Sequence, residues 1–162
     1  MATLKGKAEI ERTILKTSTY IDSDDRRILG YLASWVSVHA GIVCVGKLKR
    51  IMSAENLGDP QVISALAFLA VDFGFHEWKL LAKEFPEKLI WNSAATKSSL
   101  KMKGAETNFK RAGLFLPKGF LRIRATDILP IEAICKVHLQ SRLRLIFGAN
   151  LRADGVYYLF HS

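Results

Sequence analysis

The chain has 162 residues, of which 49% are apolar and 24% charged, and it carries a net charge of +9. This composition is sufficient for one buried core and excludes an intrinsically disordered chain. The sequence has no run of about 20 apolar residues that would span a membrane, and MATLKGKAEIER lacks the apolar segment of a signal peptide. Cys44 and Cys135 stand 91 positions apart in apolar surroundings, which is typical of buried free thiols. We therefore expect a chain of single-domain size in a reducing, cytoplasmic environment.

The positive charge is concentrated in one part of the chain. Residues 1–96 contain 12 Lys and Arg against 11 Asp and Glu, whereas residues 97–152 contain 12 against 3. A segregated field of one sign attracts a polyanion, and nucleic acid is the commonest partner of this kind. The distribution predicts that the carboxyl-terminal third binds nucleic acid.

The neutral part of the chain shows helical periodicity. An amphipathic helix is predicted from about residue 7 to 18, and Ser23, followed by two acids, is predicted to cap a second helix. GIVCVG after His39 fits either an extension of that helix or a short strand, and GKLKRIMSAE at 46–55 predicts a further short helix. The inward face of the second helix is predicted to consist of Ile28, Leu29, Leu32, Trp35 and Val36.

The next helix has the clearest start signal. Asp59 is a capping residue, and Pro60 is suited to the first helical position. The following VISALAFLAV is apolar nearly all round, which predicts the centre of the bundle. A turn at 72–76 is then predicted to lead into a helix, HEWKLLAKEF, that ends before Pro86.

This predicted pair of helices partly matches a helix-turn-helix motif. Ala70 and Gly74 have the four-residue offset that allows such helices to approach. However, Lys83 occupies an apolar position of the motif, and the second helix is nearly neutral, which suits a phosphate-lined groove poorly. We favour a core role for the pair over DNA contact. The packing residues would be Phe73, Phe75 and Leu80.

From Asn92 the composition changes. NSAATKSSLKMKGAE is rich in small and polar residues and predicts an exposed loop. Apolar runs on both sides of Pro117-Lys-Gly119 indicate a small β-hairpin near 114–124. Alternation in LRIR would place Arg122 and Arg124 on one face of that ribbon. The alternative, which we favour, is an extended arm that covers the bundle and leaves the arginines in solvent.

A long helix is predicted to follow. Thr126 or Asp127 would cap it, Pro130 would lie in its first turn, and Gly148 would end it. The buried face would consist of Ile131, Ile134, Cys135, Leu139, Leu143 and Ile146. The cations expected to stay outside are Lys136, Arg142 and Arg144.

The end of the chain suggests one more helix. Asn150 is a potential cap, Asp154 lies in the first turn, and Val156, Leu159 and Phe160 follow helical spacing. RLRLIFGANLRADGVYYL resembles the segment of bacterial winged-helix transcriptional regulators in which a basic helix ends at Phe-Gly and Arg-Ala-Asp begins the DNA-binding domain. The matching positions are Arg142, Arg144, Leu145, Phe147, Gly148, Arg152, Ala153, Asp154 and Leu159.

The resemblance covers about 20 residues of this chain. Gly155 and Tyr157 depart from it, and no recognition helix or wing follows. It implies a helical bundle domain at 1–147 and, at 148–162, a C-terminal helix that begins a truncated winged helix. The equally weighted alternative is that 151–162 docks on the bundle as a C-terminal latch.

No motif for catalysis stands out in the sequence. His39, His76, His138 and His161 lack paired ligand spacing, and there is no phosphate loop, C-x-x-C or G-x-S-x-G. Cys135 and His138 would share a helical face, which we interpret as core packing rather than a nucleophile and its base. The acids Asp22, Asp24 and Asp25 are better explained by capping than by metal binding. We expect no enzyme activity and no cofactor.

Aromatic residues give a weaker indication of partners. Trp35 and Trp78 lie on apolar helical stripes, whereas Trp91 is at a boundary and could be exposed. Single-strand binding requires aromatic residues interleaved with cations. The residues that approach this pattern are Phe109, Phe115 and Phe120, and phenylalanine is as readily buried.

We therefore predict a mostly α protein, a multi-helix bundle with an optional small β-hairpin, that acts as a DNA-associated transcriptional regulator or a fragment of one. The alternative is a helical protein-interaction module (an antitoxin, an adaptor or a dimerisation domain) that binds a partner protein or forms a homodimer without touching DNA. Neither hypothesis involves a membrane. The candidate phosphate contacts are Lys97, Lys101, Lys103, Lys110, Arg111, Lys118, Arg122, Arg124, Arg142, Arg144 and Arg152.

Overall fold

The computed structural model describes residues 9–22, 26–89 and 94–159, and this part of the chain is mostly α-helical. The predictions for Ser23, Asp24, Asp25, Trp91, Phe160 and His161 lie outside the described residues. The helices are α1 (Ile10–Ser18), α2 (Arg26–His39), α3 (Val45–Glu55), α4 (Pro60–Asp72), α5 (Ala94–Lys103), α6 (Thr107–Arg111), α7 (Ile131–Val137), α8 (Leu139–Phe147) and α9 (Leu151–Leu159).

The first four helices form the main core, with α4 at its centre, as its apolar composition predicts. The Asp59 carboxylate accepts hydrogen bonds from the backbone N–H groups of Gln61 (2.9 Å) and Val62 (3.1 Å), and Pro60 takes the first helical position. Eight consecutive or near-consecutive residues of α4 are buried, so this helix has neighbours on most sides. No single described helix is long and apolar enough to cross a membrane; α2 and α3 approach that length only as a pair bent by 119°.

The segment between α2 and α3 follows neither of the two predicted courses. Residues 40–42 form one 3₁₀ turn, Val43 is extended, and α3 starts at Val45. The helix at 46–55 is confirmed, and it ends at Asn56 in the left-handed conformation. The turn is held from outside the segment, because the Trp78 indole Nε1–H donates to the carbonyl of Ala40 (3.1 Å).

The helix predicted at 76–85, and with it the helix-turn-helix, is wrong. After α4 the chain forms only a five-residue 3₁₀ helix, His76–Leu80, and continues without helical structure. The Ser64 hydroxyl accepts from the backbone N–H of Lys83 (2.7 Å) and donates to its carbonyl (2.5 Å), so these groups are bound outside any helix. Trp78 is buried, but two of the three proposed packing residues, Phe73 and Leu80, are 53% and 59% exposed.

The exposed loop predicted at 92–106 is also wrong, because its described part contains α5. Alanine, lysine, leucine and methionine are good helix formers, and they outweigh the serines and threonine of this segment. Gly104 ends the helix at a φ of +74°, with its N–H bonded to the carbonyl of Leu100 (3.0 Å). The short α6 that follows was not predicted; it places Phe109 in the core.

The hairpin near 114–124 is absent from the structure. Leu114 and Phe115 instead pair in parallel with Lys88 and Leu89 (strands β1, Lys88–Leu89, and β2, Leu114–Phe115). Pro117 forms an isolated antiparallel bridge with Ala105, so both sides of the predicted hairpin loop find other partners.

Residues 119–124 form the extended arm that we favoured from the sequence. Leu121 is buried and Ile123 half-buried, while Arg122 and Arg124 point into solvent, as the alternation predicts. The Ser34 hydroxyl of α2 accepts from the backbone N–H of Arg124 (3.0 Å), which fixes the arm to the bundle. The arm therefore belongs to the surface of α2 and forms no separate ribbon.

The long helix predicted up to Gly148 is divided in two and begins later than expected. Pro130 is the N-cap of α7 and has an extended conformation (φ −63°, ψ 154°). An earlier start is disfavoured because the residue before a proline, here Leu129, avoids the helical conformation. His138 is extended and separates α7 from α8. Its imidazole Nδ1 accepts from the backbone N–H of Ser141, so it caps α8. Of the predicted buried face, Cys135 and Leu143 are buried, but Ile146 is 66% exposed.

The last helix is present as predicted, and its cap is confirmed, since the Asn150 side-chain oxygen accepts from the N–H of Ala153 (3.3 Å). Of the described residues predicted to share its apolar face, Val156 is half-buried, whereas Leu159 is 81% exposed. α9 packs on α8, and α8 packs on α7. Among the described residues the continuous apolar core ends at Leu121 and Ile123, so these three helices form a separate layer beside it.

Gly113 is a position where an alanine should be strongly destabilising. Its φ is +79°, and an added Cβ would lie 2.4 Å from the carbonyl oxygen of Phe85 and 2.8 Å from that of Pro86. Gly104 has a similar φ of +74° but nothing within 4 Å. We expect Gly104→Ala to cost about 1–2 kcal/mol for its left-handed backbone. Gly113→Ala should cost roughly 1–3 kcal/mol more because backbone atoms must move.

Urea unfolding of the two glycine variants and the parent protein measures this difference. Equal losses of stability for Gly113→Ala and Gly104→Ala would contradict the close approach of residues 85–86 to residue 113.

Candidate nucleic-acid interface

Most of the candidate phosphate contacts lie in solvent. The structure describes the side chains of ten of the eleven candidates, all except Arg152. Nine of these ten side chains are exposed, and one, Arg144, is buried. Within the described part of the chain, seven of the exposed nine have no ion-pair partner. These seven are Lys97, Lys101, Lys103, Lys110, Lys118, Arg122 and Arg142.

Three lysines are brought together where α5 meets the segment before the arm. Lys101 and Lys103 are in the last turn of α5, immediately before Gly104. The backbone N–H of Lys118 donates to the carbonyl of Gly104 (2.9 Å), next to the bridge between Ala105 and Pro117. Two backbone contacts thus place Lys118 beside the end of α5. We call Lys101, Lys103 and Lys118 the bridge lysines; all three are exposed.

Two exposed arginines already have acidic partners. Arg111 lies 3.5 Å from Asp72 and over the ring of Phe68, 4.1 Å from its centroid. Arg124 lies 3.7 Å from Asp127 on the next turn. All four charged side chains are about half exposed, so these pairs are weak and a phosphate can compete for the arginines.

Arg142 contributes to the break between α7 and α8. Its guanidinium donates to the carbonyl of Cys135 (2.9 Å) and, at 3.4 Å, to that of Lys136. These are carbonyls of the last turn of α7, which have no helical partner at a helix end. Arg142 remains exposed, and its charge has no carboxylate beside it in the described structure.

The prediction that Arg144 stays outside is wrong. Its side chain is fully buried and pairs with Glu11 of α1 (2.5 Å) and Asp154 of α9 (2.9 Å). It also donates to the carbonyl of Ile42 (3.0 Å). A guanidinium has five N–H donors, and here they join three separated parts of the chain. Arg144 therefore cannot contact phosphate in this fold.

Lys47 extends this buried cluster to α3. Its ammonium lies 2.8 Å from Asp154 and 2.5 Å from Glu9. Gln140 adds a hydrogen bond to Asp154 (3.1 Å), and the Glu11 carboxylate accepts from the backbone N–H of Cys44 (2.9 Å), at the start of α3. We call Glu9, Glu11, Lys47, Arg144 and Asp154 the buried charge cluster.

Each shifted group of the cluster is held in its charged form. Burial opposes the charge of Arg144, but the hydrogen bonds and charges of Glu11 and Asp154 outweigh it and raise the pKa of Arg144. Burial likewise opposes charge on Asp154, yet hydrogen bonds from Lys47 and Gln140 and the charge of Arg144 lower the pKa of Asp154. The pKa of Lys47 is raised, against burial, by hydrogen bonds to Asp154 and Glu9.

The sequence contained one signal for this cluster. Glu11 precedes Ile14 by three positions and Leu15 by four, so helical periodicity places it on the same face of α1 as these core residues. A charged residue on an inward stripe is rarely buried without a partner. The sequence does not identify the other members of the cluster, because Arg144 is 133 positions from Glu11 and Lys47 is on another helix.

His39, His138 and the two cysteines are at least half-buried. The His39 imidazole is buried and hydrogen-bonds the carbonyl of Leu129 (2.8 Å), while that of His138 bonds the Ser141 hydroxyl (2.8 Å). Cys135 is buried as predicted, whereas Cys44 is half-buried; both are free thiols. Within residues 9–22, 26–89 and 94–159, no three His, Cys, Asp or Glu side chains are grouped to hold a metal ion.

Comparisons with protein-family models, with curated proteins and with solved structures return no match to this chain.

Proposed function

We propose that this protein binds the nucleic-acid backbone through the exposed cations of residues 97–124 and takes part in DNA-associated regulation without chemistry of its own. The observation that carries the proposal is that seven of the candidate phosphate contacts are exposed and have no ion-pair partner among the described residues, and that six of these seven lie between Lys97 and Arg122. Unpaired Lys and Arg release condensed counterions when they meet phosphates, which drives association.

The arrangement supports backbone contact more than base readout. The two-helix motif that would have entered a major groove is absent, since residues 76–80 form only a 3₁₀ helix with a buried Trp78. Lysines predominate among these seven cations, and an ammonium acts as a compact point charge without the planar, rigid fork of a guanidinium. Phosphate contacts position a protein on a duplex but do not select its sequence.

The salt dependence of binding tests this proposal. A mixed-sequence duplex is titrated with the protein at several salt concentrations, and the logarithm of the association constant is plotted against that of the salt concentration. With about six phosphates contacted we expect a slope near −5, because each contact contributes roughly −0.9. A slope shallower than about −2, or no binding at low salt, would overturn the proposal.

The interaction-module hypothesis has its own structural support. Large apolar side chains of the last helical layer and the segment before it are more than half exposed: Leu129, Leu145, Ile146, Tyr158 and Leu159. Exposed large apolar side chains are suited to contact with another protein. Light scattering on the same samples separates the two functions, because self-association without duplex binding favours this second candidate.

A further inference from the structure

A cleft of about 530 Å³ lies between α2 and the arm, apart from the bridge lysines. Its volume is in the range of small-ligand sites, roughly 300–1,000 Å³. One wall is a single face of α2, because its lining residues there recur at helical spacing from Arg27 to Ser34. The other wall is formed by the arm and the adjoining turns. Its lining includes the cations Arg27 and Arg122 and the aromatic rings of Tyr31 and Phe120. It also includes the carboxylate of Asp127, which is paired with Arg124 at 3.7 Å.

The walls of the cleft are fixed by backbone contacts. The Ser34 hydroxyl donates to the carbonyl of Gly30 (2.7 Å) within α2 and accepts from the N–H of Arg124 (3.0 Å) in the arm. The backbone of Arg122 lies against Gly30, within ordinary contact distance of a Cβ at that position. Buried Leu121 anchors the arm from below. The cleft is therefore preformed and does not depend on a ligand for its shape.

The side chains of the cleft combine two kinds of recognition. Arg27 and Arg122 are exposed guanidinium groups, which bind phosphate oxygens in a planar, bidentate manner. Tyr31 is 65% exposed although it is aromatic, and Phe120 is half-buried on the opposite wall. Aromatic rings beside cations are the arrangement on which nucleobases stack while their phosphates are neutralised.

We infer that this cleft binds a single nucleotide unit, with its base against Tyr31 and Phe120 and its phosphate at Arg27 and Arg122. A base inside a duplex remains stacked and cannot enter a recess of this size. The ligand is therefore a free mononucleotide or an unpaired nucleotide of a strand, which share the same chemistry. The inference goes beyond the proposed duplex binding, because Arg122 is the one cation of that interface in the described lining of the cleft and the bridge lysines take no part in it.

Calorimetric titration of the full chain with the four nucleoside 5′-monophosphates, the matching nucleosides and a short single-stranded oligonucleotide tests the inference. We expect at least one phosphorylated probe to bind and its nucleoside to bind at least tenfold more weakly. Tyr31→Ala should weaken binding by about five- to 150-fold, the range expected for loss of one stacked base. Arg122→Ala should weaken binding of the phosphorylated probe and leave that of the nucleoside unchanged.

Matched controls keep this result specific. Phe73→Ala removes another exposed aromatic ring and Arg50→Ala another exposed arginine, both outside the cleft; both should bind like the parent. Binding of the oligonucleotide but of no mononucleotide, with the same loss in Tyr31→Ala, assigns the site to a strand. Absence of binding by every probe, or equal affinity in Tyr31→Ala and the parent, overturns the inference. Replacing the bridge lysines should weaken duplex binding by about two to three orders of magnitude near 0.1 M salt and preserve nucleotide binding, so failure of either proposal is recognised separately.

Discussion

Replacing Arg144 with methionine is expected to lower the free energy of unfolding by about 3–5 kcal/mol, the range for breaking a buried ion pair from one side. The guanidinium pairs with Glu11 and Asp154, and neither side chain is more than 5% exposed. Removal of Arg144 leaves Glu11 without its cationic partner, while Asp154 retains Lys47. Methionine fills most of the volume, so the loss comes from an uncompensated charge and not from a large cavity.

Two further variants show whether the loss of stability comes from the uncompensated charge of Glu11. Arg50 is exposed on α3 without an ion pair in the described structure, so Arg50→Met should change the stability by no more than about 0.5 kcal/mol. Adding Glu11→Met to Arg144→Met removes the stranded carboxylate and should recover part of the loss, because apolar replacement of both partners is often tolerated. Urea unfolding followed by circular dichroism gives all three values. A loss for Arg144→Met no larger than for Arg50→Met would show that the buried charge cluster contributes nothing to stability.

The cluster also explains how the last helices are attached. α7, α8 and α9 lie beyond the end of the continuous apolar core among the described residues. Their contacts with the first half of the chain include Arg144 to Glu11 and Ile42, and Asp154 to Lys47. Such contacts have geometric requirements that apolar packing lacks, so they fix one orientation of the layer. Through Asp154, which contacts Lys47 and Arg144, α9 is connected to α3 and α8.

The segment that resembles winged-helix regulators includes both ends of one ion pair. Arg144 and Asp154 are matching positions of that resemblance, and in this fold they bind each other. Their pairing offers a structural reason for these residue types that requires no DNA contact. The resemblance therefore stays a hypothesis about relationship, and it lends no phosphate-binding role to Arg144.

Local signals in the sequence predicted those elements whose determinants are local. The cap and proline at Asp59-Pro60 and the cap at Asn150 both act within three residues, and both were found where predicted. Alternation in the arm was equally reliable, because it depends only on which face is covered by the bundle.

Predictions failed where a distant group determined the outcome. The expected helix at 76–85 is replaced by hydrogen bonds from Trp78 to Ala40 and from Ser64 to Lys83, which no local pattern reveals. The hairpin prediction is wrong because Leu114 pairs with Lys88, which lies outside residues 114–124. The mistaken placement of Arg144 has the same origin, since helical periodicity gives the face of a residue but not the charge opposite it.

The excess of cations in residues 97–152 overstates the charge available to a partner, because some of these cations are paired within the fold. Of the 12 cations in residues 97–152, Arg144 is internally neutralised, and Arg111 and Arg124 have acidic neighbours. The remaining excess is still basic and is concentrated on α5, α6 and the arm. Substitutions that test the proposed interface should therefore remove cations from this surface, because the net charge of +9 alone does not locate a binding site.

Replacing all three bridge lysines with glutamine should therefore reduce duplex affinity by about two to three orders of magnitude near 0.1 M salt. Three lost phosphate contacts make the salt slope shallower by about 2.7, and the affinity difference grows as salt is lowered from 1 M. Lys49, Lys79 and Lys83 are also exposed lysines without ion pairs in the described structure, and they lie outside the basic third. Their triple replacement with glutamine is a matched control, because it lowers the net charge by the same three units.

The two triple variants distinguish a localised interface from a general charge effect. Gel-shift titrations at several salt concentrations should show the shallower slope only for the bridge-lysine variant, while the control retains the parent slope. All six substituted side chains are exposed, so neither variant should lose more than a small part of its stability. If both variants lose affinity equally, binding reflects net charge alone and the proposed interface is wrong. If neither loses affinity, nucleic acid binds through other residues and the proposed interface is wrong.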